Sequence, residues 1–355
     1  MIQVKSHIAS MGPYKPPWTG LDRSRYLRLD LNENTLNPPD HVKLALKSYI
    51  DSNCIQMYPE YETFMTQLST YAQVDSDRLI LTNGSDQAIE LLLHAFLGSG
   101  DTMLIARPEF PIFTQIAAVL NAKVLGISFD KNLDFPMEAF VEAITPSVSL
   151  IVLINPNNPT GTPLELGQLE LILKSCPDIP VIVDEAYYEY TQITACGLIE
   201  NYPNLIITRT FSKAFAMAGL RLGYVIANPE IISQLYKIRG PFDVNSCAIV
   251  AAQSQLDRPD SWKAYIKEIV TRSKPFLENF FDEQKVKYYP GAAHFMLVQP
   301  RHRDQAVNYL KAHGILVRPM FAPSIEKTFR MCVGSLEQTQ QFAAVYEKYL
   351  QEFDS

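Results

Sequence analysis

Apolar residues along this chain fall into short, nearly unbroken runs instead of alternating with polar ones. Seven such runs lie at 79–82, 102–106, 122–127, 149–154, 181–184, 204–208 and 223–227. A strand that is apolar at successive positions is covered on both faces, which is the signature of a mostly parallel sheet between helices. The intervening segments agree with this, since residues 85–96 carry apolar side chains at helical spacing. The alternation stops near residue 250. A helical stretch over 260–282 follows, then shorter runs beginning at Val286, His294, Ile315 and Phe329, and a closing helix from Leu336. The pattern predicts an α/β large domain over 40–252 and a smaller α+β domain over 253–355. Residues 1–39 are proline-rich and irregular. They read as an arm or a tail, and the aromatics Tyr14 and Trp18 favour an arm that joins the smaller domain.

Composition narrows the class. A chain of 355 residues is long for one core, and 47% hydrophobic with 19% charged residues fits an ordinary globular enzyme. A net charge of −7 argues against a nucleic-acid binder that depends on phosphate contacts. The first residues lack the apolar core of a signal peptide, and no apolar run is long enough to span a bilayer, so no membrane partner is expected. The five cysteines (Cys54, Cys176, Cys196, Cys247 and Cys332) are scattered and odd in number, as expected for buried thiols in a reducing cytoplasm. There is no His-Glu-x-x-His metal motif and no Gly-x-Ser-x-Gly nucleophile elbow, so no metal is expected. His94 falls on an apolar helical face and reads as a core histidine.

Three segments at the ends of predicted strands carry chemistry. The first is Arg209-Thr-Phe-Ser-Lys213-Ala-Phe-Ala-Met-Ala-Gly-Leu-Arg221. A lysine among small and apolar residues suits attack on an aldehyde, because desolvation or a nearby cation favours its neutral form. Thr210, Ser212 and Arg221 would hold the phosphate of such an aldehyde. The second is Asn155-Pro-Asn-Asn158-Pro-Thr-Gly161, a proline-pinned turn in which the Asn158 amide can face a phenolate oxygen or simply shape the turn. The third is Asp184-Glu-Ala-Tyr187. A half-buried Asp184 needs a partner, a protonated pyridine nitrogen supplies one, and Tyr187 then reaches the same phenolate as Asn158. Gly84-Ser85-Asp86 joins a strand to a helix, where backbone N–H groups can cradle a phosphate, although Ser and Asp also favour simple helix caps. Together these segments describe a pyridoxal 5′-phosphate (PLP) site. Tyr58, Tyr61 and Phe64 fit a core, a dimer contact, or both.

These motifs resemble those of the fold-type I PLP-dependent aminotransferases of class I/II, in the histidinol-phosphate aminotransferase branch. The resemblance runs from the Asn-Glu-Asn arm at 32–34 to Arg330. It implies that Lys213 forms the Schiff base and later moves a proton, that Asp184 pairs the pyridine nitrogen, and that Asn158 and Tyr187 hold the phenolate. Gly84, Ser85, Asp86, Thr210, Ser212 and Arg221 correspond to the phosphate cup and its neighbours, and Phe110 to the residue stacked on the ring. Tyr58 matches a tyrosine that reaches the phosphate of the other subunit, which implies a homodimer. Tyr14, Glu33, Asp243, His294, Arg318 and Arg330 correspond to the substrate side, with Arg330 receiving the substrate carboxylate.

Three positions depart from that pattern: Phe110 where tyrosine is usual, and Asp243 and His294 where asparagine is usual. Asp243 either faces the pocket, where it would repel a phosphate and welcome a cation, or caps the helix that follows it. His294 is a candidate proton carrier near neutral pH. The main expectation is transamination of an amino acid or amino alcohol phosphate. The alternative is elimination or cyclisation of a cationic, arginine-derived amino acid on the same cofactor.

Overall fold

The computed structural model describes residues 3–13 and 17–353. Strand β1 (Leu27–Arg28) comes from the N-terminal segment. The seven apolar runs become β2 (Leu79–Thr82), β3 (Thr102–Arg107), β4 (Lys123–Ser128), β5 (Leu150–Ile154), β6 (Val181–Asp184), β7 (Leu205–Thr210) and β8 (Gly223–Ala227). They form one sheet in the order β2-β8-β7-β6-β5-β3-β4. Strand β8 runs against both neighbours, and the other neighbouring pairs are parallel. Every residue of β2, β5, β6, β7 and β8 is buried, which is why these runs cannot alternate. Edge strand β4 has no fully buried residue.

Successive side chains of one strand feed opposite cores. Ile182, Ile206 and Val225 pack with the helices Gly84–Phe96 and Pro229–Ile238, whereas Val181, Val183, Leu205 and Ile207 pack with Leu166–Ser175. Each such aliphatic side chain, fully buried, contributes roughly 1.5–3 kcal/mol. Arg209 is the charged exception within β7. It is tolerated because Glu185, also buried, lies 2.9 Å from its guanidinium and the Tyr188 ring lies 3.9 Å below it.

The C-terminal third adds β9 (Lys287–Tyr289), β10 (Phe295–Gln299), β11 (Ile315–Leu316), β12 (Arg318–Pro319) and β13 (Phe329–Cys332). Strands β12-β13-β10-β9 form an antiparallel sheet, and β1 pairs in parallel with β11. The N-terminal segment therefore docks on C-terminal strands, and Leu29 O accepts from Cys332 N–H at 2.9 Å.

Two expectations need correction. His94 is exposed, with Nδ1 bonded to Glu90 O one turn back; its position lies just outside the buried stripe formed by Leu91, Leu92 and Leu93. The stretch over 260–282 is not one regular helix. Asp260–Glu268 passes through a π-helical turn, Ile269–Ser273, into Lys274–Glu283. Pro275 cannot donate a backbone hydrogen bond to the preceding turn, and a widened turn accommodates that gap. All five cysteines are free thiols. Among the described residues, no helix is long and apolar enough to cross a membrane.

Candidate active site

The candidate residues gather at the carboxyl ends of β2, β5, β6 and β7, where open α/β sheets bind their ligands. Ladder bonds continue past two of these ends. Asn155 N–H donates to Asp184 O at 2.8 Å, and Glu185 N–H donates to Thr208 O at 2.9 Å. Asp184 is thereby fixed on the sheet, and its Oδ1 accepts from Thr208 Oγ1 at 2.9 Å. Burial pushes its carboxyl up to about 6. Such a group favours a cationic partner.

After β2 the chain turns directly into the helix Gly84–Phe96. Gly84 takes a left-handed φ of 76°, and the Asn83 side chain makes no capping bond. The turn packs closely against β8: a Cβ on Gly223 would come within 2.7 Å of Ser85 N. Arg221 lies over Gly84, so any side chain at 84 would collide with the guanidinium. Arg221 Nη2 donates to Asp86 Oδ2 at 2.8 Å, and Nη1 reaches Ser212 Oγ at 3.5 Å. A helix N-terminus, a hydroxyl and a held guanidinium form an anion cradle.

Lys213 Nζ donates to Leu31 O at 3.2 Å. Its ammonium is pulled down to about 8, first by removal from water and then by Arg330. Tyr187 is buried, and its hydroxyl accepts from Asn32 Nδ2 at 3.0 Å. Burial pushes that phenol up to about 12, with Arg330 and the Asn32 bond opposing. Arg330 donates to Asn158 Oδ1 and, at 2.9 Å, to Asp30 O.

These groups line one cavity of about 500 Å³. On the cofactor side of the expectation, Ser85, Asp86, Phe110, Asn158, Asp184, Tyr187, Ser212, Lys213 and Arg221 all reach it. On the substrate side Glu33, Arg318 and Arg330 reach it. Gly84 and Thr210 lie behind the wall. Thr210 Oγ1 accepts from Ser212 N–H at 3.1 Å and donates to Leu222 O at 3.3 Å, so it braces the lysine loop.

Four expected residues stand elsewhere or fall outside view. Tyr14 lies outside the described residues. Tyr58 is 75% exposed and stacks on Phe242 at 4.3 Å, away from this cavity of its own chain. Asp243 does not line the cavity: its Oδ2 accepts from Gln87 Nε2 at 2.6 Å and Gly240 N–H at 3.0 Å. Nor does it cap the next helix, since Asn245 does that through Ala248 N–H. His294 is fully buried behind Tyr187, stacked on Tyr190, and bonded to Asn32 O at 3.2 Å. Burial and the neighbouring cations hold it down to about 3, so it stays neutral and does not carry protons near pH 7.

The geometry adds residues that sequence reasoning passed over. Asp30, Leu31 and Asn32 touch Arg330, Lys213 and Tyr187 respectively. Arg23 bonds both Asp30 and Glu33, at 2.8 and 2.7 Å, and so braces this segment. Only the Asn-Glu-Asn cluster hinted at it. Glu109 also lines the cavity, beside Phe110.

The sheet thus brings together an amine with lowered proton affinity, a buried acid and an anion cradle. The chain belongs to the aminotransferases of class I and II, whose family model matches residues 24–345. Membership makes it a PLP enzyme, as the motifs implied. It is 31% identical to histidinol-phosphate aminotransferase 1 of Mannheimia succiniciproducens, over 96% of this chain and 95% of that one. It is 32% identical to histidinol-phosphate aminotransferase 2 of Legionella pneumophila strain Lens, over 91% and 89%. The crystal structure of histidinol-phosphate aminotransferase from Sinorhizobium meliloti, in complex with pyridoxal-5′-phosphate, superposes with a TM-score of 0.88. It covers 98% of this chain and 99% of that one at 20% identity, which shows the fold.

Proposed function

We propose that this aminotransferase moves an amino group between a small donor, an amino acid or amino alcohol phosphate, and a 2-oxo acid. The observation that carries the reading is the convergence of Lys213, Asp184, Tyr187 and Arg330 on one cavity. The named relatives favour histidinol phosphate as the donor and an amino acid biosynthetic role.

The residues fit PLP. The crowded Gly84–Arg221 cradle, with Ser85 and Ser212, would hold its phosphate, and Asp86 would hold Arg221 in place. The buried Asp184 would pair with its pyridinium, and Asn158 and Tyr187 would face its phenolate. Phe110 would stack on the ring. When bound, PLP supplies an electron sink next to the substrate Cα. Lys213 would attach the cofactor and afterwards, as a neutral amine, would accept and return the Cα proton. Its depressed affinity for protons suits both tasks. Arg330, with Arg318 beside it, would receive the carboxylate or phosphate of the substrate.

The reading of a cationic, guanidino substrate rested on Asp243 and His294. Neither lines this chain's own cavity. The enzyme would act as a cytoplasmic homodimer, with residues 1–39 working with the domain of 253–355 and residues 40–252 forming the cofactor domain. The exposed side chains of Ile55, Met57, Tyr58 and Phe242 support a second copy there. Sedimentation at micromolar concentration tests this; a fully active monomer would contradict it. Product analysis with histidinol phosphate and 2-oxoglutarate tests the activity: the expected products are the oxo phosphate and glutamate. Release of carbon dioxide or a cyclic amino acid from any amino acid donor, without glutamate, would overturn it.

A further inference from the structure

Asn32 is 1% exposed and adopts a left-handed φ of 54°, a conformation that asparagine tolerates better than most residues. Both side-chain groups and the backbone carbonyl have a partner. Nδ2 donates to Tyr187 Oη at 3.0 Å, the backbone carbonyl accepts from His294 Nε2 at 3.2 Å, and Oδ1 faces the Cys332 thiol at 3.9 Å. We propose that Asn32 is a positioning residue for the phenol of Tyr187: its amide occupies the hydroxyl oxygen from behind and directs the hydroxyl hydrogen into the cavity.

Donors and acceptors fix the orientation of the phenol. A phenol has one hydrogen to give and lone pairs to receive. Once Asn32 Nδ2 donates to the oxygen, the hydrogen must point elsewhere, and the open side of Tyr187 is the cavity wall. The reverse orientation of the amide would place Oδ1 against Tyr187, draw the phenolic hydrogen backward, and leave an NH2 group facing the thiol. The thiol argues against that. Burial pushes Cys332 up to about 12, so its sulfur keeps the hydrogen and offers it to Oδ1. His294 completes the clamp. A backbone carbonyl only accepts, so the hydrogen sits on Nε2; the ring is stacked on Tyr190 at 4.2 Å, and buried Nδ1 has no partner. His294 therefore acts as a fixed donor to the backbone of Asn32. Arg330, Lys213, Asp184, Cys332 and His294 surround the phenol, and among the described residues only Asn32 is seen to bond its hydroxyl.

The inference rests on Tyr187 facing the phenolate oxygen of PLP, and the test separates the two claims. The readouts are the pH midpoint of the visible absorbance of the cofactor-loaded dimer and the dissociation constant of PLP. Asn32→Gly keeps the left-handed backbone while deleting the amide. A hydrogen bond to the charged form of a group lowers its pKa, so losing a well-aimed Tyr187 raises the midpoint by about one unit. Asn32→Gly should produce that rise, together with weaker PLP binding. Tyr187→Phe should match it, and the double variant should go no further, because residues acting as one unit are non-additive. Asn32→Asp, which can only accept, should move the midpoint in the same direction and carries the test if the glycine variant folds poorly. An unchanged midpoint in Asn32→Gly or Asn32→Asp beside a shifted one in Tyr187→Phe would overturn the positioning role alone. An unchanged midpoint in Tyr187→Phe would overturn the Tyr187 reading and this inference with it.

Discussion

Arg330 and Asn158 meet across the boundary between the two sheets, Nη1 donating to Oδ1, while Nη2 holds Asp30 O at 2.9 Å. One planar guanidinium thus joins β13, the turn after β5 and the N-terminal segment. Lysine cannot reproduce a fork of two donors. Arg330→Lys should lower kcat/KM for glutamate by roughly 10- to 100-fold, because the proposed contact with the substrate carboxylate would lose a charge-assisted hydrogen bond. Steady-state kinetics with glutamate as donor will check this.

The pH dependence of cofactor attachment follows from Lys213. Its ammonium is depressed to about 8, so the reactive neutral amine accumulates as pH rises through that value. The rate of PLP attachment to the apoenzyme should therefore climb with a midpoint near pH 8. Arg330 is the second cause of the depression, after loss of water. In Arg330→Met the midpoint should move upward. Stopped-flow absorbance between pH 6 and about 10 reads both, spanning the ordinary lysine range.

Asp184 sets function against stability. Its folded value of about 6 lies above the 3.8 of an ordinary aspartate, so the folded apoprotein holds the proton more tightly than the unfolded chain. Ionisation therefore costs stability as pH rises from about 4 to beyond 6, on the order of 3 kcal/mol. Asp184→Asn should make the apoprotein more stable at pH 8, with the advantage vanishing below pH 4, while PLP binding weakens. Urea melts at the two pH values, paired with cofactor titration, provide the comparison.

Gly223 has no room for a side chain. A Cβ there would lie 2.7 Å from Gly84 C and Ser85 N, both backbone atoms that cannot swing aside. Gly223→Ala should cost about 1–3 kcal/mol, as overpacking usually does. It should also weaken PLP binding, because the displaced turn is half of the proposed phosphate cradle. Denaturant unfolding and equilibrium dialysis would show the two effects together.

The central sheet was legible because its strands are buried on both faces and announce themselves as unbroken apolar runs. The candidate cluster was legible for a related reason: Asp184 ends such a run and Asn158 and Lys213 lie just beyond one, so these residues sit where the strands end. What could not be read was pairing over long sequence separations. Asn32 meets Tyr187 across 155 positions and Asp30 meets Arg330 across 300. Asp243 misled because a carboxylate in a loop looks alike whether it faces a pocket or closes the turn at Gly240. His294 misled because its protonation depends on burial, which only packing decides.

Lys213 is proposed to hold the cofactor and to yield it to an amino donor. Borohydride reduction of the purified cofactor-loaded enzyme, followed by digestion and mass mapping, locates the attachment point. The expected result is the cofactor mass fixed on the peptide bearing Lys213, and no fixation after incubation with an excess of glutamate. Fixation on another lysine, or fixation that glutamate leaves undiminished, would contradict it.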